Sequence, residues 1–354
     1  MQIAFSIGDI TAKGGAEKVV ANLANEFSNR GHNITILSFY KANEKIPHKF
    51  NKNIEIIFIN NIGEKEFIAK YKNNIFKKIY IKNIYKFILN LKIFFTFKNI
   101  DVFIANCFMF FPFLKRKGTK YIKLVHLNFM GYNTRNNLFP LLIILSNKEL
   151  HKWSKYHSNI KVIPNFPSFE EREITNYKNK VVLSAGRLTK QKGFSRLIDI
   201  WKKIKEDRSN TWKLIILGDG EEREALESKI KQYNLDSIIL EPFTSNIESK
   251  YLNASIYALS SFYEGMPLVL LEASNYGLSL ISFDINTGPS DIIEDGVNGY
   301  LIEDNNLDLY ALKLKELMES EEKRRIMGAK AKELVEIKFG KEKIINEWMK
   351  ILEG

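Results

Sequence analysis

The stretch from Ser260 to Gly277, SSFYEGMPLVLLEASNYG, decides how the second half of this chain folds. It continues an apolar run of strand length, SIYALSS, and closes on PLVLLEASNYG, which has the length and composition of a helix. Between them Gly265 lets the backbone approach a ligand. Pro267 suits the first helical position, which leaves Glu272 just over one turn inside the helix. A strand followed by a glycine loop and a helix N-terminus presents free N–H groups at a sheet edge, and these favour an anion such as a phosphate. A carboxylate placed like Glu272 can accept two hydrogen bonds from neighbouring ribose hydroxyls, while Glu264, outside the helix, is free to meet a sugar. Taken alone, the same pattern also describes an ordinary helix start with a second acidic residue nearby.

Upstream, SAGRLTKQKGFSRLI puts Arg187 just past the strand VVLSAGR and Lys192 five residues later, before Gly193 and another helix. Both cations belong to the sheet edge that carries Glu264, where the charge of a diphosphate would have to be held. Arg offers a bidentate fork and Lys a mobile point charge. Strands and helices alternate from there: FSRLIDIWKKI, WKLIILGDG, EEREALESKIKQY, SIILEPF, a short helix, the stretch quoted above and LSLISFD, with a helical tail from Leu307. Such alternation predicts a parallel sheet covered on both faces, with ligands at the carboxyl ends of its strands. The first half repeats it less cleanly as QIAFSIG, a helix from Gly15 to about Asn29, NITILSF, IEIIFIN, DVFIANC, KYIKLVH and IKVIPN; LFPLLIIL from Leu138 is a core strand or helix. The fold class is therefore α/β, with two doubly wound Rossmann-like domains facing across a cleft. Residues 1–165 form the first and 181–339 the second; 166–180, which lack an apolar period and carry Pro167, read as a linker. The helix at about 340–354 is a candidate to pack back on the first domain.

At 354 residues the chain exceeds what one hydrophobic core usually supports, and 45% hydrophobic residues supply two. Cys107 is the single cysteine, so neither a disulfide framework nor a thiolate metal site can be assembled, and a reduced, cytoplasmic compartment is expected. Met1 opens onto a strand without a signal-peptide pattern, and no apolar run approaches the roughly 18 residues that span a bilayer. The net charge of +12 is divided unevenly. Residues 1–165 hold 26 Lys plus Arg against 9 Asp plus Glu, a net +17, and the remainder holds 27 against 32, a net −5. Coding bias toward lysine would enrich both halves alike, which favours a functional basic face in the first.

The set GGAEK (14–18), GRLTKQKG (186–193), LGDGEE (217–222), YEGMPLVLLEA (263–273) and GPSDIIEDGVNG (288–299), in this order and spacing, resembles glycosyltransferase family 4, whose members have the GT-B fold. The resemblance covers nearly the whole chain. It implies an acceptor-binding first domain and a donor-binding second domain. The implied reaction is retaining transfer of a hexose or N-acetylhexosamine from a UDP-sugar, with no metal or cofactor, to a lipid-linked or oligosaccharide acceptor. The implied setting is surface polysaccharide biosynthesis, such as lipopolysaccharide or capsule; UDP follows from the likeness alone. By the same likeness Arg187 and Lys192 hold the donor diphosphate, Glu272 the ribose, and Glu264 with the backbone of Gly265, Met266, Pro267 and Leu268 the donor sugar. Gly218 and Gly220 would let the nucleotide lie against the second domain, with Phe243 and Thr244 near the base. Gly14 and Gly15 would face the phosphates or the acceptor, and His126, ending KYIKLVH, matches the family's histidine near the reacting sugar, as a positioning or polarising group. The implied course is front-face displacement, with the diphosphate leaving toward Arg187 and Lys192 and its own oxygen helping to deprotonate the acceptor. A covalent route through Glu264 is the alternative. Many members have two glycines followed by Pro-Glu; here the text is NTGPSDII, with Ser290 inserted and Asp291 in place of Glu.

From Glu66 to Asn99 the only acidic residue is Glu66, and Phe67, Tyr71, Ile75, Ile79, Phe87 and Leu91 recur at helical intervals. Such a surface suits anionic lipid, so the chain is expected as a peripheral protein on the inner face of the cell membrane; a solvated helical face is the plain alternative. A sugar-nucleotide epimerase of GT-B architecture is the rival enzyme. A dehydrogenase is disfavoured because Arg223 stands where the third Gly of G-x-G-x-x-G belongs. A nucleic-acid-binding protein would use the basic half but leave the acidic half and its carboxylates without purpose, so no nucleic-acid partner is expected.

Overall fold

Val, Ile, Leu and Phe dominate short runs flanked by polar or glycine residues, the pattern of parallel strands buried on both faces. The computed structural model describes residues 1–70, 84–168, 173–204, 211–285 and 287–354. Among these, β1 (Gln2–Ile7), β2 (Asn33–Ser38), β3 (Glu55–Phe58), β4 (Val102–Ala105), β5 (Lys120–Leu124), β6 (Leu141–Ile144) and β7 (Ile160–Val162) form one sheet. Its order is β3-β2-β1-β4-β5-β6-β7, with parallel pairings. A second parallel sheet, β10-β9-β8-β11-β12-β13, is built from β8 (Val181–Ala185), β9 (Lys213–Leu217), β10 (Ile238–Glu241), β11 (Ile256–Leu259), β12 (Ser279–Asp284) and β13 (Gly299–Glu303). Strand order reverses between β1 and β4 in the first sheet and between β8 and β11 in the second. The crevices beyond the carboxyl ends of those pairs are where such sheets take ligands.

The chain divides into two units, Met1–Ile163 with Ile345–Gly354, and Pro164–Ile344. In unit 1 the helix Gly15–Asn29 buries Val19, Val20, Leu23, Ala24 and Phe27 at the three-and-four spacing of an amphipathic helix. It stops at Gly31, whose φ of +81° the left-handed cap requires. Phe27 also meets Trp348 of the helix Lys341–Glu353, ring centroids 5.9 Å apart, and Trp348 is 2% exposed. Lys120 Nζ donates to the last carbonyls of that helix, Ile351 at 3.2 Å and Leu352 at 2.8 Å, a cation at the negative helix end.

In unit 2 the helix Phe194–Ile204 buries Phe194, Leu197, Ile198, Trp201 and Ile204 in a core shared with Val182, Leu214 and Ile216 of the strands. Residues 166–180, expected as a linker, are part of this unit: Phe166 and Thr175 are buried, and the Thr175 N–H donates to Tyr276 O at 2.9 Å while its hydroxyl donates to Ala254 O. The anchoring residues of this segment follow no apolar period, which is why sequence reads it as free. The basic segment contributes the helices Glu64–Ala69 and Lys86–Thr96; Tyr71, Ile75 and Ile79 lie outside the described residues. Among the described residues no helix is long and apolar enough to cross a membrane.

Candidate functional site

Arg187 lies two residues past β8 and is exposed; among the described residues its guanidinium makes no ion pair. Beyond it, Lys190–Lys192 form a 3-10 turn closed by Gly193 at φ +64°, where a Cβ would collide with Ser260 O. Glycine is what lets this turn lie on the end of β11. Three further bonds staple the two loops: Ser260 Oγ to Lys192 O at 3.0 Å, Phe262 N to Gln191 O at 2.8 Å and Gln191 Nε2 to Tyr263 O at 3.0 Å. The result places Lys192 Nζ 2.5 Å from Glu264 Oε1, with side chains only 17% and 8% exposed. Ser261 Oγ donates to the same oxygen at 2.6 Å, and Thr287 Oγ1 donates to Glu264 O at 3.1 Å. Arg196 supports the loop from below: it donates to Ser260 O at 2.6 Å, to Ser261 O and to Asp304 Oδ1 at 2.7 Å, and it lies 4.0 Å from the ring centroids of Phe262 and Phe283. Removing one member of so buried an ion-pair network leaves the others uncompensated.

The helix after Glu264 runs Leu268–Asn275, and Pro267 caps it rather than occupying its first turn as expected. Glu272 is 1% exposed, and each of its oxygens is engaged within unit 2: Ser168 Oγ donates to Oε1 at 2.7 Å and Tyr251 OH to Oε2 at 3.0 Å. Burial, then the Glu272 charge, raise the Tyr251 phenol well above its ordinary pKa, so it stays a donor. A carboxylate oxygen can accept more than one hydrogen bond, so these contacts do not prevent a ligand hydroxyl from donating to it as well. Met266 is buried, its carbonyl accepting from Asn165 Nδ2 at 3.1 Å. Gly288, at φ +82°, comes so close that a Cβ there would lie 2.7 Å from Gly265 O and 2.8 Å from Pro267 Cδ. Asp291, the departure from the family pattern, holds this turn by accepting from Gly288 N at 3.0 Å.

Gly218 and Gly220 have a reason that needs no nucleotide. Their Cβ positions are filled by Gly186 O and Leu188 O, and Gly218 adopts φ +152°. Phe243 and Thr244 sit in the loop after β10, where Thr244 Oγ1 accepts from Asn246 N at 3.1 Å. In unit 1, Gly14 caps the helix Gly15–Asn29, and the Glu17 carboxylate occupies the space a side chain at Gly14 would take; an anion here would have to compete with it. Among the described residues nothing fills the corresponding space at Gly15. His126 lies two residues past β5, and its Nε2 is 2.8 Å from Asn106 Oδ1, directly after β4. Burial, with the neighbouring Lys123 charge, pushes its pKa down to about 3, so the ring is neutral. With Oδ1 accepting from Nε2–H, Nδ1 is the acceptor nitrogen.

Residues 166–334, which carry Arg187, Lys192, Glu264 and Glu272, match the sequence model of the family described as Glycosyl transferases group 1. This segment, just under half of the chain, belongs to that glycosyl transferase family. The chain is similar to the amylovoran biosynthesis glycosyltransferase AmsD of Erwinia amylovora, 38% identical over 203 residues, 55% of this chain and 56% of the relative. It is also similar to the N-acetylgalactosamine-N,N'-diacetylbacillosaminyl-diphospho-undecaprenol 4-alpha-N-acetylgalactosaminyltransferase of Campylobacter jejuni, 32% identical over 178 residues, 50% of this chain and 47% of the relative. The matched regions thus span about half the length of these curated relatives. Over its full length the chain superposes on S. aureus TarM, solved with fondaparinux, alpha-GlcNAc-glycerol and UDP, with a TM-score of 0.83 at 18% identity and 100% of both chains covered. That likeness shows the fold, GT-B.

Several residues that shape the site escaped the sequence reading. Ser168 and Tyr251 reach Glu272 from 104 and 21 residues away, and Arg196 reaches Asp304 across 108. No local spacing links such partners. Asn106 was within reach, because it directly follows β4 at the point where the strand order reverses.

Proposed function

We propose that this glycosyl transferase retains anomeric configuration while moving a hexose or N-acetylhexosamine from a UDP-sugar to a lipid-linked glycan acceptor in surface polysaccharide biosynthesis. The observation that carries the donor half is the pairing of Lys192 with Glu264 beside the exposed Arg187, which has no ion-pair partner among the described residues, at the switch point between β8 and β11. Lys192 is neutralised by Glu264. A diphosphate arriving beside Arg187 competes for the ammonium, and each step of exchange shifts Glu264 toward the sugar hydroxyls. As the glycosidic bond breaks, negative charge grows on the diphosphate and is met by Arg187 and Lys192, in a site where Ser261 and Arg196 already hold the loop rigid. A diphosphate oxygen takes the acceptor proton on the same face. Glu264, tied to two donors, is a poor nucleophile, which favours this course over a covalent one. Glu272 receives the ribose, and neutral His126 offers Nδ1 to a sugar hydroxyl. These reactions need no metal or cofactor in this reading.

Acceptor class rests on the Campylobacter relative, whose name describes transfer to a diphospho-undecaprenol glycan, and on the surface of unit 1. There Phe87, Ile88 and Phe95 of the helix Lys86–Thr96 and the nearby Leu114 are exposed by 40% or more, with Lys92, Lys98, Lys115 and Lys117 among them in sequence. Exposed rings interleaved with lysines suit an anionic membrane surface, with the chain peripheral to it. A panel of nucleotide sugars scored by thermal stabilisation tests the donor reading, since a ligand of the folded state raises its melting temperature. UDP and a UDP-sugar should stabilise while GDP and ADP counterparts do not; a flat response across the panel would overturn it.

A further inference from the structure

Unit 1 holds a concentration of positive charge that the donor chemistry leaves unused. The loop Asn106–Phe111 follows β4 at the point where the first sheet reverses its order, and three cations from three different elements close round it. Lys123, on β5, is 2% exposed; its Nζ donates to Cys107 O at 2.9 Å and lies 4.5 Å from the centroid of the Phe108 ring. Lys86 opens the helix Lys86–Thr96, whose first turn is pinned to the loop by Asn90. That amide donates to Lys86 O at 2.7 Å and Met109 O at 2.9 Å and accepts from Phe111 N at 2.8 Å. Arg135 stacks 4.8 Å from the Phe111 ring centroid.

Among the described residues none of the three has a carboxylate within ion-pair distance; at Lys86 the fields of Cys107 and then Glu64 oppose the lowering only in part. An ammonium has three N–H donors, and Lys123 has one carbonyl and one ring face to offer them. Burial pulls Lys123 down to about 8, and Lys86 is lowered by burial and then by the Arg135 charge. A buried cation such as Lys123 is ordinarily paired, and among the described residues it has no carboxylate partner. Phe108, 46% exposed beside Lys123, marks where the group opens to solvent.

We propose that Lys86, Lys123 and Arg135, gathered around the loop Asn106–Phe111, form an anion site that takes a phosphate or diphosphate group. A multiply charged group with oxygens in several directions satisfies three cations from separate elements better than a single carboxylate does. Assigning that group to the acceptor rests on the proposed function; the site itself does not.

The test is titration of the full chain with inorganic pyrophosphate in the presence of saturating UDP, in wild type and in Lys123→Met, Arg135→Gln and Arg187→Ala. The wild type should bind pyrophosphate under UDP. Lys123→Met and Arg135→Gln should weaken it at least tenfold without changing UDP affinity, and Arg187→Ala should leave the pyrophosphate affinity in place. Absence of binding in wild type, equal binding in all variants, or loss confined to Arg187→Ala would each overturn the site. Should UDP itself fail to bind, the donor reading falls while the pyrophosphate arm still decides this one. Melting temperature controls for folding: Lys123→Met removes an uncompensated buried charge and should melt no lower than wild type, and the partly exposed Arg135 gives a second variant that tolerates change. Phosphatidylcholine vesicles with and without a polyprenyl diphosphate separate the sources. Retention that needs the diphosphate lipid and Lys123 assigns a lipid-borne group; pyrophosphate binding without retention assigns a soluble one.

Discussion

Replacing Glu272 by Gln separates two roles that alanine would merge. The carboxylate is 1% exposed and already accepts from Ser168 at 2.7 Å and Tyr251 at 3.0 Å. Alanine strips the buried Tyr251 phenol and the half-buried Ser168 hydroxyl of this acceptor, at a cost of about 1–3 kcal/mol for a buried group left unsatisfied, before any ligand is involved. Glutamine keeps the volume and one oxygen, and its nitrogen faces a hydroxyl that can turn to accept. The loss of folded stability in Glu272→Gln is therefore expected at about 1–2 kcal/mol, smaller than in Glu272→Ala. Ribose hydroxyls donating to a charged acceptor gain about 1.5–3 kcal/mol each, so loss of one such bond weakens UDP binding by roughly 10- to 150-fold. Isothermal titration with UDP, beside calorimetric melting of both variants, reads the two effects separately. If UDP binds Glu272→Gln within about threefold of wild type, a difference well under 1 kcal/mol, while Glu272→Ala melts early, the carboxylate serves Ser168 and Tyr251 alone and the ribose assignment is refuted.

Arg187→Ala should reduce turnover by about 100-fold or more through lost charge stabilisation, with little change in melting temperature because the side chain is exposed and makes no ion pair among the described residues; steady-state kinetics and melting decide it. Gly218→Ala should cost at least about 2 kcal/mol in a denaturant titration, because its Cβ would collide with Gly186 O and its φ is +152°. His126 is held neutral with its pKa pushed down to about 3, so the unfolded chain binds a proton that the folded chain does not as pH falls below about 6.5. Stability contributed by the neutral ring is thus lost on acidification between those values, and His126→Gln should flatten that part of the stability–pH curve by about 1 kcal/mol at pH 5, allowing for partial solvent access. Phe87→Ser with Phe95→Ser should abolish retention on anionic vesicles while leaving UDP affinity unchanged, as measured by sedimentation and titration.

The strands and the helix starts were legible because they obey local rules. The helix Gly15–Asn29 and the turn from β11 through Pro267 into Leu268–Asn275 are set by apolar spacing, a glycine and a proline within a few residues. Strand β13 and the short helix Pro289–Ile292 went unread: in β13 Gly299 packs where a Cβ would strike Leu280 O, and four helical residues are too few to show a period. Arg187, Lys192, Glu264 and Glu272 could be named because strand ends converge at a sheet's switch point whatever the side-chain packing. Their supports could not, since Ser168, Tyr251 and Arg196 arrive from other elements and their residue types are common on any surface. Gly218 and Gly220 show the opposite failure: a motif correctly noticed, whose immediate physical cause is backbone meeting backbone.

The account stands on transfer from a nucleotide sugar to an acceptor, and the most direct measurement is incubation of the purified chain with UDP-hexose or UDP-N-acetylhexosamine and a lipid-linked oligosaccharide, read by mass spectrometry and proton NMR. The expected result is an acceptor heavier by one sugar residue, with UDP released in equal amount and the anomeric configuration of the donor retained. Donor consumed or epimerised with no change in acceptor mass, or an inverted linkage in the product, would contradict it.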